Sequence, residues 1–181
     1  MFLLVAESGA ASGKIEKGVY RSKGGLFELP VPYPSERMHL KDASGKFEQA
    51  VSFEVEYAYS HRVERFKAGS ELFAVADKSL PMNERLAKIE SEIFRKYADA
   101  GFKTISVVRR EFVEKGDQIM LQQIRELGAS EVQNTRGVII FLTPNYVNVL
   151  HFSHPMTGKD RADDIWKEIG RLYDSLRLID R

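Results

Sequence analysis

Gly137-Val138-Ile139-Ile140-Phe141-Leu142-Thr143-Pro144-Asn145-Tyr146-Val147-Asn148-Val149-Leu150-His151-Phe152-Ser153 decides the fold. Val138 to Leu142 is apolar at every position, which predicts a strand covered on both faces. Thr143-Pro144-Asn145 then makes a turn: proline fixes φ, and asparagine tolerates a left-handed backbone. So tight a turn sends Tyr146–Ser153 back antiparallel to the first strand. Upstream, Glu114-Lys115-Gly116-Asp117 joins Thr104–Val113 to Gln118–Leu127 in the same manner. Three short connections in succession predict a four-strand antiparallel meander.

Two helices frame the meander. Leu86, Ile89, Ile93 and Tyr97 recur at three- and four-residue spacing, with Ser79 expected as N-cap, Pro81 in the first turn and Gly101 past the last. After the meander, Ala162, Ile165, Trp166, Ile169, Leu172, Tyr173 and Leu176 form an unbroken stripe, preceded by Thr157 and Asp160 as a capping box. Gly170 costs this helix about 1 kcal/mol relative to alanine, so close packing against the sheet is expected there. Asp163 and Asp164 suit the positive end of its dipole, a structural reading preferred to acid–base chemistry.

Before the first helix the chain reads as strands. Val51, Phe53, Val55 and Tyr57 alternate with Ser52, Glu54 and Glu56, which predicts a strand with one buried and one wet face. Weaker strands are expected at His61–Phe66 and Glu71–Ala76. Leu26–Pro32 ends in prolines and reads as an edge or terminating strand, forming a hairpin with Gly18–Ser22 through Gly24-Gly25. Residues 1–17 read as a flexible tail or the remnant of an export signal, and residues 18–181 as a single domain. The fold class expected is α+β, an antiparallel β-sheet flanked by helices in an α/β/α sandwich-like arrangement.

The 181 residues carry a net charge of +1, so no global field draws the chain to nucleic acid or anionic lipid. With no cysteine, disulfides, thiolate catalysis and cysteine metal sites are excluded. No apolar run spans a bilayer, and a soluble domain is expected. The compartment stays open between cytoplasm and periplasm, as does the oligomeric state.

Several motifs come close to chemistry and miss it. In Gly9-Ala10-Ala11-Ser12-Gly13-Lys14-Ile15 the glycines stand one residue too close for a phosphate-binding loop, and isoleucine replaces the hydroxyl that would hold magnesium. His151 and His154 lie on opposite faces of one strand, so they cannot share an ion, and neither metal nor cofactor is expected. Ser153 between them has no nucleophile elbow around it. Arg62 and Arg65 with Lys67, and Arg109 with Arg110, would form a basic stripe for an anionic partner if their strands were neighbours. Glu64 and Glu111 interleave and predict cross-strand ion pairing as the ordinary outcome. Arg62, Arg65, Arg109, Arg110, His151 and His154 are therefore the candidate interaction residues, and no catalytic residue is assigned.

The segment from Gly24 to Pro34, GGLFELPVPYP, the helix from Met82, the meander, and His151-Phe152-Ser153-His154-Pro155 before a closing helix with Trp166 together resemble the PsbP/Mog1-like superfamily over residues 18–178. The resemblance implies an antiparallel sheet flanked by helices, and a role as an accessory or binding protein rather than an enzyme. No family site residue transfers to this chain. The function expected is a non-enzymatic module holding a protein partner on a sheet face or loops. The alternative is a small-ligand binder or an enzyme with a pocket assembled from scattered residues, which would gather His39, His61 or His151 with a carboxylate.

Overall fold

A computed structural model describes residues 13–23, 26–43, 45–55, 59–129, 132–155 and 161–179. Most of Met1–Lys14, the Gly24-Gly25 turn, the Glu56 and Tyr57 end of the alternating strand, and the Thr157/Asp160 capping box lie outside them. The strands are β1 (Lys14–Glu16), β2 (Val19–Arg21), β3 (Phe27–Pro30), β4 (Met38–Asp42), β5 (Glu48–Val55), β6 (Ser60–Lys67), β7 (Lys103–Lys115), β8 (Gln118–Ala129), β9 (Val132–Thr143), β10 (Tyr146–His154) and β11 (Arg177–Leu178). Three helices accompany them: α1 (Glu71–Val75), α2 (Met82–Asp99) and α3 (Ala162–Ser175).

A seven-stranded antiparallel sheet in the order β4-β5-β6-β10-β9-β8-β7 is the frame. Its last four members are the predicted meander. On one face α1 and α2 cover Phe66, Leu121, Val138, Ile140, Val147 and Val149. On the other, α3 and a small sheet ordered β1-β2-β3-β11 cover Val51, Phe53, Ile124, Ile139, Phe141 and Leu150. The fold is α+β with helices on both faces. Val138–Leu142 is buried throughout because its alternate side chains enter the two different cores.

Several expectations are corrected. Glu71–Ala76 is helical, since the Ser70 hydroxyl accepts from the Phe73 N–H and starts a turn where the apolar content had read as strand. Ser79 does not cap α2; its N–H and hydroxyl both donate to the Asp77 carboxylate, and Pro81 takes the N-cap position. Gly101 does sit past the helix end with positive φ. β5 is not wet on one face: Ala50 and Ser52 are buried beside Val51 and Phe53. The small sheet reaches back to Lys14 rather than starting at Gly18, which turns the β1–β2 hairpin with Lys17, both at positive φ.

β3 is flanked by β2 and β11, so its prolines end the strand at Pro30 rather than mark an edge. Pro30 is nevertheless tolerated. Val31 donates toward β2 and Leu26 accepts from the β11 side, so alternation turns the Pro30 nitrogen to the β11 side, beyond the last paired residue.

Gly170 is not a close-packing site either, for a Cβ there would meet open space. The tight contact is on the sheet: a Cβ on Gly137 would lie 2.9 Å from Ile165 Cγ2 and 3.4 Å from Ile169. The sheet, not the helix, gives up its side chain where α3 crosses β9. Gly170→Ala is therefore expected to raise stability by about 0.5–1 kcal/mol in urea denaturation, because helix propensity improves and nothing is displaced.

Candidate functional site

Strand alternation places Arg62 and Glu64 of β6 and His151 of β10 on the α2 face of the sheet, where the register sets His151 opposite Arg62. The His151 ring contacts Glu64 at 2.7 Å through Nε2 and the Tyr97 hydroxyl at 3.1 Å through Nδ1. A carboxylate only accepts, so Nε2 carries the hydrogen and Tyr97 donates to Nδ1. Arg62 closes the chain with a 2.6 Å bridge to Glu64, and Arg136 of β9 lies 4.6 Å over the Tyr97 ring. Burial pushes the Glu64 carboxyl up, but His151 and Arg62 outweigh it and hold the group at about 2. Burial lowers His151 against the pull of Glu64 and keeps it neutral. Tyr97 is raised, chiefly by burial.

These groups wall a cavity of about 320 Å³ with Glu48, Phe66, Leu72, Ile93 and Lys96.

The opposite face holds a second pairing. His61 Nε2 lies 3.2 Å from Glu168 of α3, with the Tyr33 ring 5.1 Å and the Phe152 ring 4.8 Å away. Burial drives its pKa down to about 4 despite the carboxylate. Tyr33, Phe152 and Glu168 border a cleft of about 340 Å³ with Tyr59, His154 and Arg161. His61 and His151 are thus each gathered with a carboxylate at or beside a cavity, while His39 is exposed on β4.

The predicted interaction residues divide. His151 and His154 face opposite sides as alternation requires, and the His154 ring lies tilted against Tyr59, 5.0 Å between ring centres. The arginines form no common stripe, since three strands separate β6 from β7. Arg62 serves the cavity. Arg65 is wholly enclosed, bonded to Asn148 at 2.8 Å and set 4.0 Å over Tyr146. Arg109 stacks 3.8 Å over Trp166 and bonds Glu111 at 2.8 Å, whereas Arg110 crosses to the other face and bridges Glu90 at 2.7 Å. Glu64 and Glu111 do pair with arginines, but with Arg62 and Arg109 two residues away on their own strands rather than across strands; the cross-strand partner of Glu64 is His151. Tyr97, Arg136 and Glu90 escaped sequence reading because each meets its partners only after distant strands align.

β7 forms one edge of the large sheet, and its outer side is unpaired among the described residues. Ile105 is 53% and Val107 49% exposed, with Phe112 further along the same strand at 38%. Its register with β8 slips at Ile105 and Val108 and then runs unbroken from Arg109 to Lys115.

No protein-family model matches the chain, and no curated protein sequence does. Among solved structures, cyanobacterial PsbP (CyanoP) from Synechocystis sp. PCC 6803 superimposes with a TM-score of 0.58 at 14% identity, over 96% of each chain. The Ran-binding protein Mog1p of Saccharomyces cerevisiae gives 0.56 at 11% identity, over 93% of this chain and 97% of its own. The chain has the PsbP/Mog1-like fold. A Bacteroides thetaiotaomicron protein gives 0.51 at 14% identity, over 92% of this chain and 50% of its own. At such identities the likeness describes the backbone alone. One PsbP/Mog1-like neighbour is described as binding a protein, Ran.

Proposed function

We propose that this chain is a non-catalytic binding module, and that a partner protein lays an extended segment along the outer edge of β7. The observation that carries this reading is the edge itself: 13 residues long, unpaired on its outer side among the described residues, and bearing exposed Ile105, Val107 and Phe112. Unpaired strand edges offer a row of backbone donors and acceptors that an incoming strand satisfies. α1 and α2 cover one central face and α3 with the small sheet the other, and of the two edge strands β7, with 13 residues against five in β4, offers the longer open edge. Arg109 and Arg110 already hold Glu111 and Glu90, so recognition rests on backbone and apolar contact rather than charge.

The absence of native cysteine makes the test clean. A photo-crosslinker on Val107→Cys is expected to capture a discrete partner from native extract, and Ile105→Glu is expected to lower that capture at least tenfold with the melting temperature nearly unchanged. Equal capture from a crosslinker at Lys88, on the exposed side of α2, would rule the edge out.

A further inference from the structure

We propose that the cavity between α2 and the sheet binds a small carboxylic acid with a short apolar body, its carboxylate on Arg136 and its body against Phe66, Leu72 and Ile93. The site lies on β6, β10 and β9, apart from the β7 edge, and does not depend on what docks there.

Each cation at the cavity except one has its own carboxylate. Arg62 bridges Glu64 at 2.6 Å and Lys96 bridges Glu71 at 3.0 Å. Arg136 has no carboxylate within 4.0 Å among the described residues, and its Nε is buried without a hydrogen-bond partner there. Its guanidinium carbon lies 4.6 Å from the centre of the Tyr97 ring and the Tyr97 hydroxyl accepts from it, which restrains the direction of the remaining N–H donors. A partly buried guanidinium without a counter-anion is costly, and an incoming carboxylate would remove that cost through two parallel hydrogen bonds.

The remaining walls set the rest of the ligand. Phe66, Leu72 and Ile93 make one side apolar, and a volume of about 320 Å³ is at the small end of ligand sites. Glu64 and Glu48 share the polar end, Glu48 lying 3.9 Å from Arg62. A second negative charge would meet both carboxylates, so a monoanion is favoured over a phosphate dianion. An uncharged alcohol would leave Arg136 as it is.

The test titrates hexanoate, hexyl phosphate and 1-hexanol into the full chain, following the Ile93 and Leu72 methyl resonances. Hexanoate is expected to shift both methyls saturably and to bind at least tenfold more tightly than either analogue. Arg136→Gln is expected to weaken hexanoate about ten- to a hundredfold, with Arg136→Lys recovering part of the loss. No saturable shift at these methyls, or equal affinity for hexanoate and 1-hexanol, overturns the proposal. So does unchanged affinity in Arg136→Gln. Should neither variant fold, the selectivity of the wild-type chain among the three ligands decides.

Discussion

Gly137→Val is expected to cost about 3 kcal/mol of stability, seen as a fall in melting temperature of roughly 6–12 °C for a chain of this size. Gly137 lies in the middle of β9, between Phe152 of β10 and Ile124 of β8, directly under α3. A Cβ alone would come within 2.9 Å of Ile165 Cγ2, and Ile169 closes the other side at 3.4 Å. Both neighbours are β-branched and buried, so neither can rotate away, and α3 must lift off the sheet. Valine's better strand propensity recovers only part of that loss. Gly137→Ala should fall between the two, at about 1–2 kcal/mol. A valine variant as stable as the wild type would mean that α3 does not rest on β9 at this point.

Acidification is expected to destabilise the protein well before its ordinary carboxylates titrate. His61 binds protons at pH 6.5 when unfolded but only near 4 when folded, because burial penalises the imidazolium more than Glu168 rewards it. Between those values the unfolded chain holds more protons, so stability rises with pH. The contribution is complete above pH 6.5 and is lost as pH falls toward 4, an expected loss of about 3 kcal/mol. His151, also lowered by burial, acts in the same direction, facing Glu64, Arg62 and Arg136. Glu64 follows in a lower window: its folded pKa is depressed from 4.5 to about 2, so its contribution is present above 4.5 and disappears below that. Urea midpoints measured from pH 7 to pH 4 should fall steadily. His61→Phe, which keeps the packing against Tyr33 and Phe152, should flatten the slope. An unchanged slope in that variant would show that His61 is not held neutral by its surroundings.

How far the sequence was legible follows from the range over which each signal acts. The meander could be read because its turns are local: Pro144-Asn145 and Gly116 dictate chain reversal within a few residues. The α2 and α3 stripes could be read because a helix displays its buried face at fixed spacing. Glu71–Val75 misled because a five-residue apolar segment carries no decisive period, and only the Ser70 cap makes it helical. Ser52 misled because a polar residue usually marks a wet face, whereas here β5 lies inside the sheet with Ser52 buried.

The site was less legible than the fold. His151 and Arg62 stood out as residues, yet their meaning depended on β10 pairing with β6, strands about ninety positions apart with the rest of the meander between them. That pairing puts Glu64 on His151, and α2 then brings Tyr97 to the other ring nitrogen. The same non-local order separates β6 from β7 and dissolves the expected arginine stripe. By itself, the sequence determined the α+β class, the meander, the two long helices and the opposite facing of His151 and His154, since each follows from spacing along one element. Only the tertiary structure decided that Arg65 is interior, that Gly137 rather than Gly170 admits the helix, and that Arg136 is left without a carboxylate among the described residues, because these depend on which strands and helices meet across the sheet.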